Sequence, residues 1–171
     1  LCVPALDLRG AEPKQADEIL AAAGVQGGVV VHVGCGDGRL TAALHAGDSF
    51  LVHGLDTDPK NVEAARQHVQ SLGLYGPVSI AQWDGQRLPY IENFVNLIVV
   101  SGPSSVGNTE LLRVLCPNGA AVFTTDQGQL TKDKLVKPRP QEIDDWTHYL
   151  HDPSNNAVAH DSAISFLTRM Q

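Results

Sequence analysis

Basic residues are in the minority: 12 Lys and Arg stand against 19 Asp and Glu, for a formal net charge of −7. A surface that grips a phosphate backbone needs clustered Lys and Arg, so nucleic acid is not an expected partner. Cysteine is scarce as well. Cys2, Cys35 and Cys116 lie far apart, odd in number and without C-x-x-C spacing, which argues against a disulfide framework and leaves the redox compartment open. No apolar run approaches the ~20 residues of a membrane-spanning helix. There is no internal repeat, no low-complexity segment and no G-x-S-x-G nucleophile elbow, and the opening "LCVPALDLRG" does not read as a secretory leader. What remains is a 171-residue chain, 43% hydrophobic. That suffices for one globular domain burying roughly 70% of its unfolded surface.

Periodicity organises the first 125 residues. "PKQADEILAAAG" places Ala16, Ile19, Leu20 and Ala23 on one helical face, with Pro13 in the first turn and Gly24 as the stop. "GGVVVHVG" reads as a buried strand, followed by a helix that Asp37 is placed to cap and that turns Leu40, Ala43 and Leu44 inward. "SFLVHGLD" is a second strand. "DPKNVEAARQHVQSLG" then has Asp58 as cap, Pro59 in the first turn and Val62, Ala65, Val69 and Leu72 at helical spacing. Strands follow at "PVSIAQW" and "VNLIVV"; the helix "TELLRVL" and the turn "CPNG" lead into a fifth strand, "AAVFTT". Strands alternating with helices build βαβ units and a parallel sheet covered on both faces.

The chemistry gathers where such strands end. In "VVVHVGCGDGRLTAAL", residues 29–44, Gly34, Gly36 and Gly38 bring bare backbone to a helix N-terminus, where N–H groups can approach an anionic or polar ligand. Packing alone would also account for a glycine-rich turn. Asp56 closes the second strand about 20 residues further on, the place for an acid that accepts from both ribose hydroxyls. Asp58 takes the helix-capping role and leaves Asp56 available. Asp84 ends the third strand beside Trp83 and Gly85, where a carboxylate can accept from the exocyclic amine of adenine; a solvated turn is its plainer role. A dinucleotide fingerprint G-x-G-x-x-G would put its third glycine where Arg39 stands.

These motifs, in this order, resemble the class I S-adenosylmethionine (SAM)-dependent methyltransferases over residues 19–125. "VHVGCGDGRL" looks like their glycine motif, "VHGLDTDPKNVEAAR" like their ribose motif and "WDGQRLPY" like their adenine motif. "FVNLIVVSG" looks like their fourth strand, and "LLRVLCPNGAAVF" like the helix, turn and strand that end their core. The resemblance implies a Rossmann-like, doubly wound parallel sheet of order 3-2-1-4-5 and SAM as cofactor. Its implied contacts are His32, Gly34, Cys35, Gly36, Gly38, Asp56, Thr57, Trp83, Asp84, Gly85 and Ser101. The family carries an acid at the position of His32, holding the methionine end of SAM, and often an Asp at Asn96. It also adds an antiparallel hairpin after the fifth strand. None is read here, so that strand is expected to be a bare edge unless a tail or partner covers it. The loop 101–105 is where the family places substrate contacts, but no residue is marked as catalytic and the methyl acceptor is unassigned.

From residue 126 the texture turns polar, and residues 126–171 are read as an irregular tail or connector to the 1–125 domain. A short helix is expected over 142–150 and an extended piece at "AISFLTR". The stretch "TKDKLVKPRPQEIDDWTHYLHDPSNNAVAHDS" resembles the connector of large planctomycete-type proteins in which a methyltransferase-like domain precedes a pyrroloquinoline-quinone (PQQ)-type β-propeller. That resemblance implies a fused or docking propeller and an exported location, whereas use of SAM implies the cytoplasm. His148, His151, Asp152 and His160 lack the tight paired spacing of a zinc site, and no metal is expected. Three functions follow: a SAM-dependent methyltransferase, a degenerate SAM- or nucleoside-binding or scaffolding module of a larger protein, and an NAD(P)-binding oxidoreductase.

Overall fold

The computed structural model describes residues 11–102, 106–125 and 129–141. The chain divides after Lys137 into two compact units, and every element below belongs to the first. In order they are α1 (Ala11–Ala23), β1 (Gly28–Val33), α2 (Arg39–Ala43), β2 (Phe50–Asp56), α3 (Pro59–Ser71), β3 (Val78–Gln82), β4 (Val95–Ser101), α4 (Asn108–Val114), β5 (Leu115–Thr124) and β6 (Leu130–Val136).

Local chemistry explains the helices. The Asp58 side chain accepts from the Lys60 N–H, Pro59 opens α3, and Val62, Ala65 and Val69 form its buried face. Gly73, at φ 69, lets the chain leave. On α1 the buried residues are Ala16, Ile19, Leu20 and Ala23, as the periodicity requires. The helix after β1 is shorter than expected and starts differently. Gly38 in the left-handed conformation is its N-cap, while Asp37 accepts from the Arg39 N–H at 3.2 Å and pairs with the Arg39 guanidinium.

Strands β3-β2-β1-β4-β5-β6 form one sheet. The first five are mutually parallel in the order 3-2-1-4-5, and β6 adds antiparallel to β5, with Ala121 opposite Leu135 and Thr124 opposite Leu130. The bare edge expected at β5 is therefore not found. Leu130–Val136, which includes the start of the supposed connector, is sheet and not irregular tail. Its sequence hid it because an edge strand needs little apolar alternation, and Lys132, Asp133 and Lys134 are exposed. Lys134 also donates to the Ala22 and Ala23 carbonyls at the end of α1, a favourable place for a cation. The "CPNG" turn survives as a bulge: Val95 opposes Leu115 but Leu97 opposes Ala120, and Asn118 sits at φ 64. The expected helix over 142–150, with Trp146, Tyr149 and Leu150, lies outside the described residues, as do "AISFLTR" and the tail histidines.

One hydrophobic cluster, around Ile19, Val52, Val62 and Val99, fills the side covered by α1–α3. The other, around Leu55, Leu88, Ile98 and Leu111, fills the side of α4. At the amino end of the sheet Asn96 accepts from the Val29 N–H at 2.9 Å and donates to the Cys116 sulfur. It locks strand register and stands far from the strand tips.

No helix separates β3 from β4, so the intervening loop needs another anchor. Arg113 of α4 supplies it, donating to both carboxylate oxygens of Glu110 and to the carbonyls of Tyr90 and Leu88. Glu110 in turn accepts from the Leu88 N–H, and the Arg113 hydrogen bond holds its carboxyl below the ordinary range. A guanidinium forked between a carboxylate and two carbonyls is geometrically exacting. Arg113→Ala should cost about 2 kcal/mol in urea denaturation. Arg113→Lys should recover only part of it.

Candidate ligand-binding site

Five parallel strands point their carboxyl ends the same way, and the expected ligand residues collect there because each follows or ends a strand. In open α/β sheets this is where ligands bind, beside the point at which strand order reverses; here β1 is flanked by β2 and β4.

The three glycines of the first turn do different work. All have positive φ: 76° at Gly34, 53° at Gly36 and 80° at Gly38. A Cβ on Gly34 would sit 2.5 Å from the Ser101 carbonyl oxygen, and one on Gly38 would sit 2.8 Å from the Ala65 side chain. Those two are demanded by packing against β4 and α3. A Cβ on Gly36 would meet nothing within 4 Å. Gly36 is the one whose bare surface faces open space.

Asp56 holds that turn in place. Its Oδ2 accepts from the Gly36 N–H at 2.9 Å, and its Oδ1 accepts from the Asp58 N–H at 2.9 Å and the Asn61 amide at 3.2 Å. The side chain is buried. A carboxylate has about four lone-pair sites. With these donors in place, Oδ2 keeps room for one more hydrogen bond, which narrows the expected acceptance from both ribose hydroxyls. The neighbouring Thr57 is exposed, and its carbonyl accepts from Gln82.

The third strand's tip is tied to the second, since the Trp83 N–H donates to the Asp56 carbonyl at 2.9 Å. The Trp83 ring packs against the α4-side core, and its indole N–H donates to the Arg87 carbonyl. Asp84 is exposed and closes its own turn on the Gln86 N–H. Gly85 follows at φ 81.

His32 departs most from expectation. It is buried, with Nδ1 2.7 Å from Thr41 Oγ1 and Nε2 2.8 Å from Ser101 Oγ. Ser101 is in turn 2.8 Å from Thr124 Oγ1. Both ring nitrogens are thus committed to protein hydroxyls, and the imidazole is braced inside the wall of the site. Thr41 and Thr124 were not legible in the sequence; a threonine ending "AAVFTT" gave the only hint. Burial pulls the His32 pKa down to about 4, against the attraction of Asp56. Burial likewise pushes the Cys35 thiol up to about 12, helped by Asp56, so Cys35 is a packed thiol and not a thiolate nucleophile. Of the loop 101–105, Ser104 and Ser105 lie outside the described residues. Among the described residues no cluster of His, Cys, Asp and Glu could hold a metal.

A family of methyltransferase domains matches residues 30–119. A probable cobalt-precorrin-6B C(15)-methyltransferase (decarboxylating) of Pyrobaculum aerophilum is 33% identical over 66 residues, covering 37% of this chain and 34% of that protein. The demethylmenaquinone methyltransferase of Lactobacillus johnsonii is 30% identical over 102 residues, 54% of this chain and 42% of that one. Among solved structures, a candidate S-adenosyl-L-methionine-dependent methyltransferase of Methanococcus maripaludis superposes with a TM-score of 0.61 at 25% identity. It covers 67% of this chain and 55% of its own. The chain therefore spans less than half the length of these two curated relatives and about half of that structure.

The glycines can be told apart experimentally. Asn tolerates the left-handed conformation, so Gly36→Asn should keep the melting temperature within a few degrees while filling the open space. Gly38→Ala should unfold several degrees lower, because its new methyl meets Ala65. Differential scanning calorimetry checks both. His32 makes the second prediction. Between its ordinary value of 6.5 and about 4 the folded chain binds fewer protons than the unfolded one, so stability falls as pH drops through that window. The shift amounts to about 3 kcal/mol. Urea titrations at pH 7 and pH 4 should show that extra loss in the native chain and not in His32→Gln.

Proposed function

We propose that this chain, which belongs to the methyltransferase-domain family, binds S-adenosylmethionine across the strand tips and serves methyl transfer to an acceptor. The observation that carries this reading is Gly36. It presents a backbone surface with open space in front of it, at a turn fixed from behind by a buried carboxylate.

The residues present fit such a cofactor. The remaining acceptor site on Asp56 Oδ2 suits a ribose hydroxyl. Trp83, Asp84 and Gly85, fastened to Asp56 through the Trp83 N–H, border the space for the base, with Thr57 at the rim. Gly34, Cys35 and Gly38 shape the turn, and Ser101, set by His32, borders the amino-acid end. When bound, SAM supplies an electrophilic methyl group on a sulfonium. The protein's part is orientation: aligning acceptor and methyl group removes much of the entropic barrier. Cys35 is protonated at neutral pH and His32 is already engaged on both nitrogens, so neither is assigned as a base.

A second reading, a nucleoside-binding or scaffolding module without turnover, is favoured by His32, which stands where the methyltransferase resemblance implies an acid and offers the ligand no charge. The connector reading of the tail, with its PQQ-type propeller and exported location, rests on the resemblance over residues 131–162, the first six of which belong to β6. No helix among the described residues is long and apolar enough to cross a membrane.

Titration calorimetry with SAM, S-adenosylhomocysteine and NAD separates the readings. We expect SAM and its product to bind and NAD not to. Asp56→Asn sets an amide NH2 against either the Gly36 N–H or the Asp58 and Asn61 donors, so it should weaken SAM roughly tenfold or more and also lower the melting temperature. Binding of NAD alone would overturn the assignment.

A further inference from the structure

Among the described residues one buried side-chain oxygen has no hydrogen-bond partner, Oγ1 of Thr131 on β6. A buried hydroxyl is expensive to leave unpaired, so this one calls for a physical reason. The strand is irregular at the same place. Val122 opposes Lys134 and Thr124 opposes Leu130, so Phe123 alone stands against the three residues 131–133. Bulges of this kind re-aim side chains and recur beside binding sites.

Alternation fixes where those side chains go. Lys134 donates to the Ala22 and Ala23 carbonyls of α1, and Leu130 packs against the cluster on that same side of the sheet. Thr131, Asp133 and Leu135 therefore turn to the opposite face, the one covered by α4, where Leu135 and Phe123 pack against the second cluster. On that face, between α4, β5 and β6, lies a cavity of about 350 Å³ lined by Asn108, Phe123, Asp133, Lys134 and Leu135. Its volume is in the range of small-ligand pockets. Its polar groups are not used up within the protein: among the described residues nothing donates to the Asp133 carboxylate or engages the Asn108 carboxamide. Lys134, the one basic residue of that lining, spends its ammonium on α1 across the sheet. The cavity thus presents a negative charge with no counter-charge.

We propose that this cavity is a binding site for a small organic amine in its ammonium form. Asp133 supplies the opposite charge. An ammonium carries three N–H donors, and the oxygens of Asp133, Thr131 and Asn108 are acceptors for them. Phe123 and Leu135 cover an apolar body the size of a single ring or a short alkyl chain. An anion would meet the carboxylate with no free basic group in the lining to offset it, and a wholly apolar ligand would leave the Thr131 oxygen unpaired. Every residue of the site lies on α4, β5 or β6, so the proposal does not rest on the SAM reading.

The test is a ¹H–¹⁵N NMR titration of the full chain with phenethylamine, set against phenylacetate and phenethyl alcohol as anionic and neutral molecules of similar body. The amine should give saturable shifts of the Asn108, Thr131 and Asp133 amides. Added salt should weaken it, because Asp133 is exposed. The acid and the alcohol should each bind at least roughly threefold more weakly. Asp133→Asn should cost the amine roughly threefold as well, with the melting temperature unchanged, since that carboxylate has no partner to lose. Thr131→Val should also weaken the amine, yet raise the melting temperature of the free chain by burying a methyl group in place of an unpaired oxygen. Absence of saturable shifts with the amine, equal affinity for the alcohol, or an Asp133→Asn protein that binds the amine as tightly as the native one overturns the proposal. So does a Thr131→Val protein that melts lower, because its oxygen would then have been paired with a trapped water.

Discussion

The site depends on one carboxylate. Asp56 ends β2, yet its oxygens serve the turn after β1, the start of α3 and, through Asn61, the first turn of that helix. The turn between β1 and α2 contains three residues at positive φ, a conformation that local chain preference does little to hold. A buried anion accepting converging N–H groups supplies what the glycines cannot, and charge-assisted bonds of this kind are among the stronger ones available. The same residue is the one expected to meet the ribose. Structural donors already divide between the two oxygens, Gly36 on Oδ2 and Asp58 and Asn61 on Oδ1, which leaves Oδ2 one lone pair for a ligand.

That division explains why the turn reads so clearly in the sequence while its function does not. Glycine at 34, 36 and 38 looks like a single motif. In space it is two packing glycines and one open one, distinguished by what lies opposite: a carbonyl of β4, a methyl of α3, or nothing. Spacing along the chain cannot report that.

Elsewhere, legibility followed the range of the interaction. Helix α3 was announced, apart from Leu72, which caps the helix and is exposed, because its cap, its proline, its apolar face and its terminal glycine are all local. The parallel core followed from alternation of strand and helix. What escaped was carried by contacts between distant parts of the chain. Thr41 and Thr124 look like ordinary hydroxyls, and Ser101 is marked only by the resemblance, until the fold brings them to His32 and one another across separations of 9, 69 and 23 residues. His32 itself was legible only as a departure from an expected acid. The structure shows a buried, neutral ring held between hydroxyls of α2 and β4. Trp83 and Asp84 were legible as loop residues at a strand tip, and their visible bonds to Arg87 and Gln86 stabilise that loop.

Strand β6 was missed because it looks soluble, and that property has a consequence. Three successive charged residues, Lys132, Asp133 and Lys134, occupy the middle of the strand that closes the sheet beyond β5. Any foreign strand that tried to extend the ladder there would have to crowd and partly dehydrate ammonium and carboxylate groups. Among the described residues β6 is the outermost strand on this side, and its charges penalise growth of the sheet by recruiting another chain at this margin.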